Sequence, residues 1–97
     1  MKKYIILAYS KNKLYTLKLT DKNSFACGYY TVKSLLNQEN TYSLEEAKQI
    51  MKKFYSRKRK NPSNSFFDLI TKIHLFKLNT LIEENKKILI DYKKKKQ

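Results

Sequence analysis

The chain has 97 residues with 22 Lys or Arg and only 8 Asp or Glu, which gives a formal net charge of +14. This length fits one domain and leaves no room for separate catalytic and regulatory domains. A single glycine excludes the P-loop and dinucleotide-binding fingerprints, and a single cysteine excludes an internal disulfide and fits a reducing compartment. We predict one α+β domain over residues 1–92, followed by a frayed, lysine-rich tail at residues 93–97.

The N-terminus resembles a signal peptide only superficially. Met1-Lys2-Lys3 precedes an apolar run at residues 4–9, but this run is too short, and Lys11 and Lys13 follow it without a cleavage site of small residues. No stretch of the sequence reaches the length of a membrane span. We therefore expect a cytoplasmic protein with no membrane partner.

Two segments near the N-terminus have the composition or the alternation of β-strands. A strand is predicted at residues 3–10, because residues 4–9 form an apolar, β-favouring run, which predicts burial on both faces. Residues 14–20 alternate, so that Tyr15, Leu17 and Leu19 share one face. These two segments predict the first two strands of a sheet.

A third strand is predicted within residues 25–36. Gly28 near its start indicates a bulge or a close backbone approach. The turn at residues 11–13 contains Asn12, which can adopt a positive φ, and residues 21–24 form the next turn. Three consecutive strands joined by short turns predict an antiparallel meander.

The period then changes to that of a helix, from residue 44 to about 57. Ser43 and Glu46 have the spacing of a capping box, in which each side chain accepts a hydrogen bond from the other residue's amide. The apolar residues lie on one face of the helix: Leu44, Ala47, Ile50, Met51, Phe54 and Tyr55. The opposite face carries Lys48, Gln49, Lys52, Lys53 and Ser56. We expect the apolar face to lie on the sheet.

The segment that follows the helix allows two interpretations. Residues 69–78 are rich in β-branched and aromatic residues, which favours a fourth strand. The alternative is a helix that begins near Ser65, since Phe66, Leu69 and Ile73 share a helical face.

The C-terminal segment predicts a second helix. Thr80 and Glu83 have capping-box spacing, so we expect a helix from residue 81 to about 93. In the alternative, residues 88–90 form a strand that pairs back onto the segment before it. The predicted fold class is α+β, a small antiparallel sheet of three to four strands with one helix packed across it and a second, C-terminal helix.

The sequence gives little support to catalysis. His74 is the only histidine, so no histidine pair exists for acid–base chemistry, and Cys27 lies in a predicted strand, where a buried inert thiol is expected. Asp68 and the segment Glu84-Asn85-Lys86 echo the arrangement of metal-dependent nucleases, but Glu84 falls in a predicted helix rather than at a strand end. We expect no enzyme activity, no catalytic residue, no metal and no cofactor.

Positive charge is distributed along the whole chain, so the folded body itself must present it. Residues 1–40 carry seven Lys and two acids, residues 41–60 seven basic and two acidic residues, and residues 61–97 eight and four. The predicted nucleic-acid-binding residues are Lys48, Lys52 and Lys53 on the outer face of the first helix, Arg57, Lys58, Arg59 and Lys60 in a loop after it, and Lys93, Lys94, Lys95 and Lys96 in the tail. The four cations of this loop have no evident structural role.

Eight Tyr and five Phe accompany this charge. Aromatic side chains exposed on a sheet can stack on unpaired bases, and Tyr29 and Tyr30 point to opposite faces, so we expect at least one of them to lie outside the core. Core packing is expected for most of the others. The chain has no ribonucleoprotein or helix-turn-helix motif, and Lys greatly exceeds Arg, which favours recognition of shape and charge over base reading.

These features predict a non-enzymatic basic protein that binds the backbone of RNA or DNA. The alternative is an accessory protein that docks on a nucleoprotein complex, such as a guide RNA–nuclease, or on an acidic protein surface, and alters its activity. Short lysine- and asparagine-rich chains without catalytic motifs are common among phage and mobile-element accessory proteins, anti-CRISPR inhibitors included, a likeness that covers no specific motif. A ribosome-associated or RNA-chaperone role is a third interpretation.

Overall fold

The computed structural model describes residues 3–85, which form a five-stranded antiparallel sheet with helices on both faces. The strands are β1 (Tyr4–Ser10), β2 (Lys13–Leu19), β3 (Phe25–Tyr29), β4 (Thr41–Tyr42) and β5 (Lys72–Lys77). The helices are α1 (Val32–Leu36), α2 (Leu44–Lys60), α3 (Ser65–Leu69) and α4 (Leu78–Glu84), and a 3-10 turn spans Gln38–Asn40. The predicted α+β class is confirmed.

Strand β1 is the centre of the sheet. Its C-terminal half, from Leu7 to Ser10, pairs with β2, and β3 pairs with β2 to complete the predicted meander. The residues from Tyr4 to Tyr9 pair with β5, and Tyr4 and Ile5 also pair with β4. Because Tyr4 and Ile5 pair with both β4 and β5, these two strands lie on opposite edges of β1.

Burial of β1 on both faces, predicted from its uninterrupted apolar run, is confirmed. On one face Ile6 belongs to a buried cluster that contains Phe54 of α2 and extends to α3. On the other face Ile5 belongs to a cluster with Leu35 of α1 and Leu81 of α4. The sheet is therefore the middle of three layers, with α2 and α3 on one side and α1 and α4 on the other.

Helix α2 begins where the sequence predicts but extends further. The Glu46 amide donates to Ser43 Oγ at 3.1 Å, and the Ser43 amide donates to Glu46 Oε1 at 3.1 Å, so the capping box is confirmed. The helix continues to Lys60, and the predicted loop position of residues 57–60 is wrong. Cations are favoured in the last turn because they lie at the negative end of the helix dipole, and Pro62 then disfavours helical backbone at Asn61.

The third strand lies within the predicted range of residues 25–36 and occupies its first part. It ends at Tyr29, and residues 32–36 form α1, because Thr31 and Ser34 make a reciprocal capping box of their own. Gly28 pairs in regular register with Thr16, and a Cβ at Gly28 would lie 3.7 Å from Thr16 Oγ1, an ordinary contact. The predicted bulge or close backbone approach at Gly28 is therefore wrong.

Each of the two β-turns contains one residue with a positive φ, and only in the second turn is it an asparagine. In the first turn Lys11, and not Asn12, has the positive φ, at 48°. In the second turn Asn23 has a φ of 59°, and its amide donates to the Thr20 carbonyl at 2.9 Å. Asn and Asp tolerate this conformation best, so Lys11 is the less predictable of the two positions.

The C-terminal half contains both of the alternatives that its sequence allows. Strand β5 confirms the favoured strand, and α3 precedes it, with Asn64 as the N-terminal cap. The second predicted capping box is wrong, because α4 begins at Leu78 and Thr80 lies inside it. The Leu78 amide donates to the Lys3 carbonyl at 2.7 Å, a contact between the two ends of the described chain that no local pattern predicts.

The rest of the predicted C-terminal helix, the alternative strand at residues 88–90 and the tail at residues 93–97 lie outside the described residues. Within residues 3–85, no helix combines the length and the apolar character that crossing a membrane requires.

Candidate nucleic-acid interface

The outer face of α2 presents the densest positive charge among the described residues. Its buried residues Ala47, Ile50 and Phe54 face the sheet, which turns the lysine side of the helix to solvent. Helical spacing arranges the cations in two rows, one with Lys48, Lys52 and Arg59 and the other with Lys53, Arg57 and Lys60. Each row spans roughly 10 Å or more along the helix axis, at 1.5 Å per residue.

A shallow groove of about 360 Å³ runs between the two rows. Its lining residues are Gln49, Lys52, Lys53, Ser56, Arg57 and Lys60. None of these described residues carries a carboxylate, and the sequence contains no Asp or Glu between Glu46 and Asp68. We call this surface the basic groove. It offers cationic donors on both sides and neutral polar groups between them, a suitable chemistry for an extended chain of phosphates.

Two of the predicted binding residues also hold the fold together. The Arg57 guanidinium donates to the Asn23 carbonyl and lies 5.1 Å from the centroid of the Phe25 ring. The Lys58 ammonium donates to the Ile70 carbonyl. The expectation that residues 57–60 have no structural role is therefore wrong for these two residues.

The remaining predicted cations divide by position. Lys48, Lys52, Lys53, Arg59 and Lys60 are exposed. The tail residues Lys93, Lys94, Lys95 and Lys96 lie outside the described residues.

Lysines elsewhere on the surface are more dispersed, and one of them, Lys18, forms an exposed ion pair with Glu39 at 2.9 Å. The hydrogen bond and the charge of this partner raise the pKa of Lys18 and lower that of Glu39.

Two further depressions adjoin the basic groove. One, of about 330 Å³, shares Gln49 and Lys53 with it but contains the carboxylate of Glu46. The other, of about 260 Å³, shares Arg57 and is lined also by Ser24, Phe25, Asn64, Phe66 and Phe67. We call this second depression the aromatic cleft. Sequence reasoning missed it because its residues come from the β2–β3 turn, the end of α2 and the start of α3, which only the fold brings together.

The exposed tyrosine that the sequence predicts is present but lies away from this surface. Tyr29 is 64% exposed and stacks on Tyr15, with 5.3 Å between ring centroids. It is at the opposite end of β3 from Phe25. Tyr30 is half-buried in the cluster on the other face of the sheet, where burial raises its pKa and its hydroxyl accepts a hydrogen bond from Asn85 at 3.1 Å.

The residues considered for catalysis are not brought together. His74 is exposed and packs its ring against Tyr9, and burial raises the pKa of the Cys27 thiol to about 11, which keeps it protonated. Asp68 is in α3 and Glu84 in α4, on opposite faces of the sheet. Within residues 3–85, no three His, Cys, Asp or Glu side chains form a group that could hold a metal ion.

Comparison with known proteins adds no functional information. No protein-family model matches the chain, no curated protein matches its sequence, and no solved structure matches its fold.

Proposed function

We propose that this protein is a non-enzymatic nucleic-acid-binding protein that holds a phosphate backbone in the basic groove on α2. The observation that supports this proposal most strongly is the uniformly positive charge of the groove. Lys52, Lys53, Arg57 and Lys60 line one continuous depression to which the described residues contribute no carboxylate. Such a surface costs self-repulsion in the free protein, and a polyanion removes that cost by neutralising the charges and releasing its counterions.

The distribution of Lys and Arg supports backbone binding rather than base reading through a duplex groove. Lysine is a flexible point charge, whereas the rigid, forked donors of arginine are better suited to bidentate reading of a guanine edge. Of the two arginines in the chain, Arg57 already donates to the Asn23 carbonyl. The groove therefore favours binding that depends on charge and salt with little preference for a particular duplex sequence.

The test is a comparison of two triple variants that lose the same charge. Lys52→Gln/Lys53→Gln/Lys60→Gln removes three cations from the basic groove, and Lys3→Gln/Lys13→Gln/Lys33→Gln removes three exposed cations elsewhere. Affinity for short RNA and DNA oligonucleotides is measured by fluorescence anisotropy across a range of salt concentrations. The slope of log K against log [salt] is negative, and its magnitude should decrease by about 2 to 3 for the groove variant, one phosphate contact per lysine, and by much less for the control.

Two outcomes contradict the proposal. One is the absence of any complex with RNA or DNA at low salt. The other is an equal loss of affinity and of salt slope in both variants, since this would mean that net charge and not the groove determines binding.

A further inference from the structure

We infer that the aromatic cleft is a binding site for an unpaired nucleobase, so that the ligand of the basic groove is a single-stranded nucleic acid. This inference rests on the proposed function, because it names the kind of nucleic acid that the groove takes. It depends on a different set of residues, which makes the two separable by experiment.

The walls of the cleft are aromatic. Phe25, Phe66 and Phe67 line it, with Phe67 buried and the other two half-buried. Edge-to-face contacts fix the rings, at 6.1 Å between the Phe25 and Phe67 centroids and 5.4 Å between those of Phe66 and Phe67. Phe25 and Phe66 therefore offer preorganised aromatic surface that is still accessible, and stacking on such surface is the sequence-tolerant way in which proteins hold unpaired bases.

The rim of the cleft is polar. Ser24 is exposed and supplies a hydroxyl group. The Asn64 amide oxygen accepts a hydrogen bond from the Phe66 amide at 2.9 Å, so its amide nitrogen is the group that it offers to a ligand. The Asn64 amide nitrogen is a hydrogen-bond donor, and the Ser24 hydroxyl can both donate and accept. These groups lie at the mouth of an apolar site, an arrangement that matches a flat ring with a hydrogen-bonding edge.

Arg57 connects the cleft to the basic groove. It lines both depressions, and its contacts with Asn23 and with the Phe25 ring hold the guanidinium at their boundary. A backbone that follows the two rows of cations past Arg57 brings its next base to the cleft. The depression at the other end of the groove is lined by one carboxylate, that of Glu46, whereas the aromatic cleft is lined by none.

A duplex cannot use this site without opening, because its bases are stacked and paired inside the helix. The volume of about 260 Å³ is slightly below the range of about 300 to 1,000 Å³ that is usual for small-molecule pockets, which suits a single ring system rather than a base pair. We therefore expect single strands to bind more tightly than duplexes of the same length.

The experiment combines a protein variant with a modified ligand. Phe66→Leu keeps the charge and an apolar side chain but removes the aromatic face, and Phe76→Leu is the matched control, a half-buried phenylalanine on the opposite face of the sheet. Affinities are measured for single-stranded, duplex and abasic oligonucleotides, each as RNA and as DNA. For single strands, Phe66→Leu should lower the affinity roughly 5- to 150-fold, the range for loss of one stacked base, with an unchanged salt slope.

The expected control results are equally specific. Phe66→Leu should leave duplex affinity unchanged, and Phe76→Leu should leave all affinities unchanged. The wild-type protein and Phe66→Leu should bind the abasic strand with equal affinity.

Equal wild-type affinity for single strands and duplexes, or no effect of Phe66→Leu on single strands, overturns this inference and leaves the proposed function standing. Absence of binding to every oligonucleotide overturns the proposed function itself. If Phe66→Leu unfolds, the wild-type protein decides, since equal binding of normal and abasic strands also overturns the inference.

Discussion

Arg57 is the residue in which the structural and the proposed binding roles meet. It is one of only two arginines among 22 basic residues, and it makes contacts that lysine cannot reproduce. Its planar guanidinium donates to the Asn23 carbonyl while lying over the Phe25 ring, and these contacts attach the end of α2 to the β2–β3 turn. A lysine at this position would keep the charge but lose the fork and the stacking.

The substitution Arg57→Lys should therefore lower the free energy of unfolding by about 1 kcal/mol. This figure combines one hydrogen bond, worth about 0.5 to 1.5 kcal/mol, with a weak cation–π contact, reduced because the side chain is partly exposed. Urea unfolding followed by circular dichroism measures it, and the exposed Arg59→Lys is the control, with an expected change below about 0.5 kcal/mol. Equal stability of the two variants would show that the contacts of Arg57 contribute nothing. The salt slope of nucleic-acid binding should stay the same in both.

Helix α2 has two roles, because it both covers the sheet and displays the basic groove. Its position depends on its first turn, where Ser43 and Glu46 satisfy amide groups that have no partner within the helix. The four cations of its last turn stabilise the other end through the helix dipole. The residues that cap this helix are thus separate from those that line the groove, apart from Arg57 and Lys60.

Ser43→Ala should cost about 1 kcal/mol of stability, the usual effect of removing an N-cap side chain. Thermal or urea unfolding measures the loss. The control is Ser56→Ala on the outer face of α2, where alanine is the better helix former and stability should stay equal or rise by up to about 0.5 kcal/mol. A Ser43→Ala variant as stable as Ser56→Ala would contradict the role of the capping box.

The elements that the sequence predicts are those with long, regular patterns. The apolar run of β1 and the 3.6-residue period of α2 are strong local signals, and both are confirmed. Strand β4 has only two residues, too few to show any period. Helix α1, which follows β3 within the range predicted to contain the third strand, has a capping box with Ser34 in place of the usual Glu or Gln. At the start of α4, the Leu78 amide donates to the carbonyl of Lys3, which lies far away in sequence.

The candidate site likewise has one part that local sequence patterns predict and one part that only the fold creates. Positive charge can be read from a sequence, and helical spacing predicts that Lys52 and Lys53 of the basic groove share the outer face of α2. The third lysine of the groove, Lys60, is predicted in a loop and joins them only because α2 extends to it. The aromatic cleft could not, because Ser24, Arg57 and Phe66 become neighbours only when the β2–β3 turn, α2 and α3 pack together. The structural role of Lys58 is hidden for the same reason, since its partner is the carbonyl of Ile70.

At the scale of the whole molecule, the net charge of +14 acts on stability and on binding with opposite signs. In the free protein, like charges on α2 and elsewhere repel one another, which favours the unfolded chain, where they lie further apart. Lys48 and Lys52, one helical turn apart, are a local example of this repulsion. Salt screens these interactions, because the Debye length falls from about 30 Å at 0.01 M to about 8 Å at 0.15 M.

Raising the NaCl concentration should therefore raise the melting temperature of the free protein while it weakens nucleic-acid binding. At low salt, an added oligonucleotide should raise the melting temperature, because a ligand that binds only the folded state stabilises it, and this increment should vanish as salt reduces the affinity. Differential scanning fluorimetry with and without oligonucleotide, at matched salt concentrations, measures both effects.

The melting temperature and the affinity of the Lys52→Gln/Lys53→Gln/Lys60→Gln variant should both depend less on salt, since this variant has less repulsion to screen and fewer phosphate contacts to lose. A melting temperature of the free protein that falls with added NaCl would show that attractive ion pairs, such as Lys18–Glu39, outweigh the repulsion among the lysines.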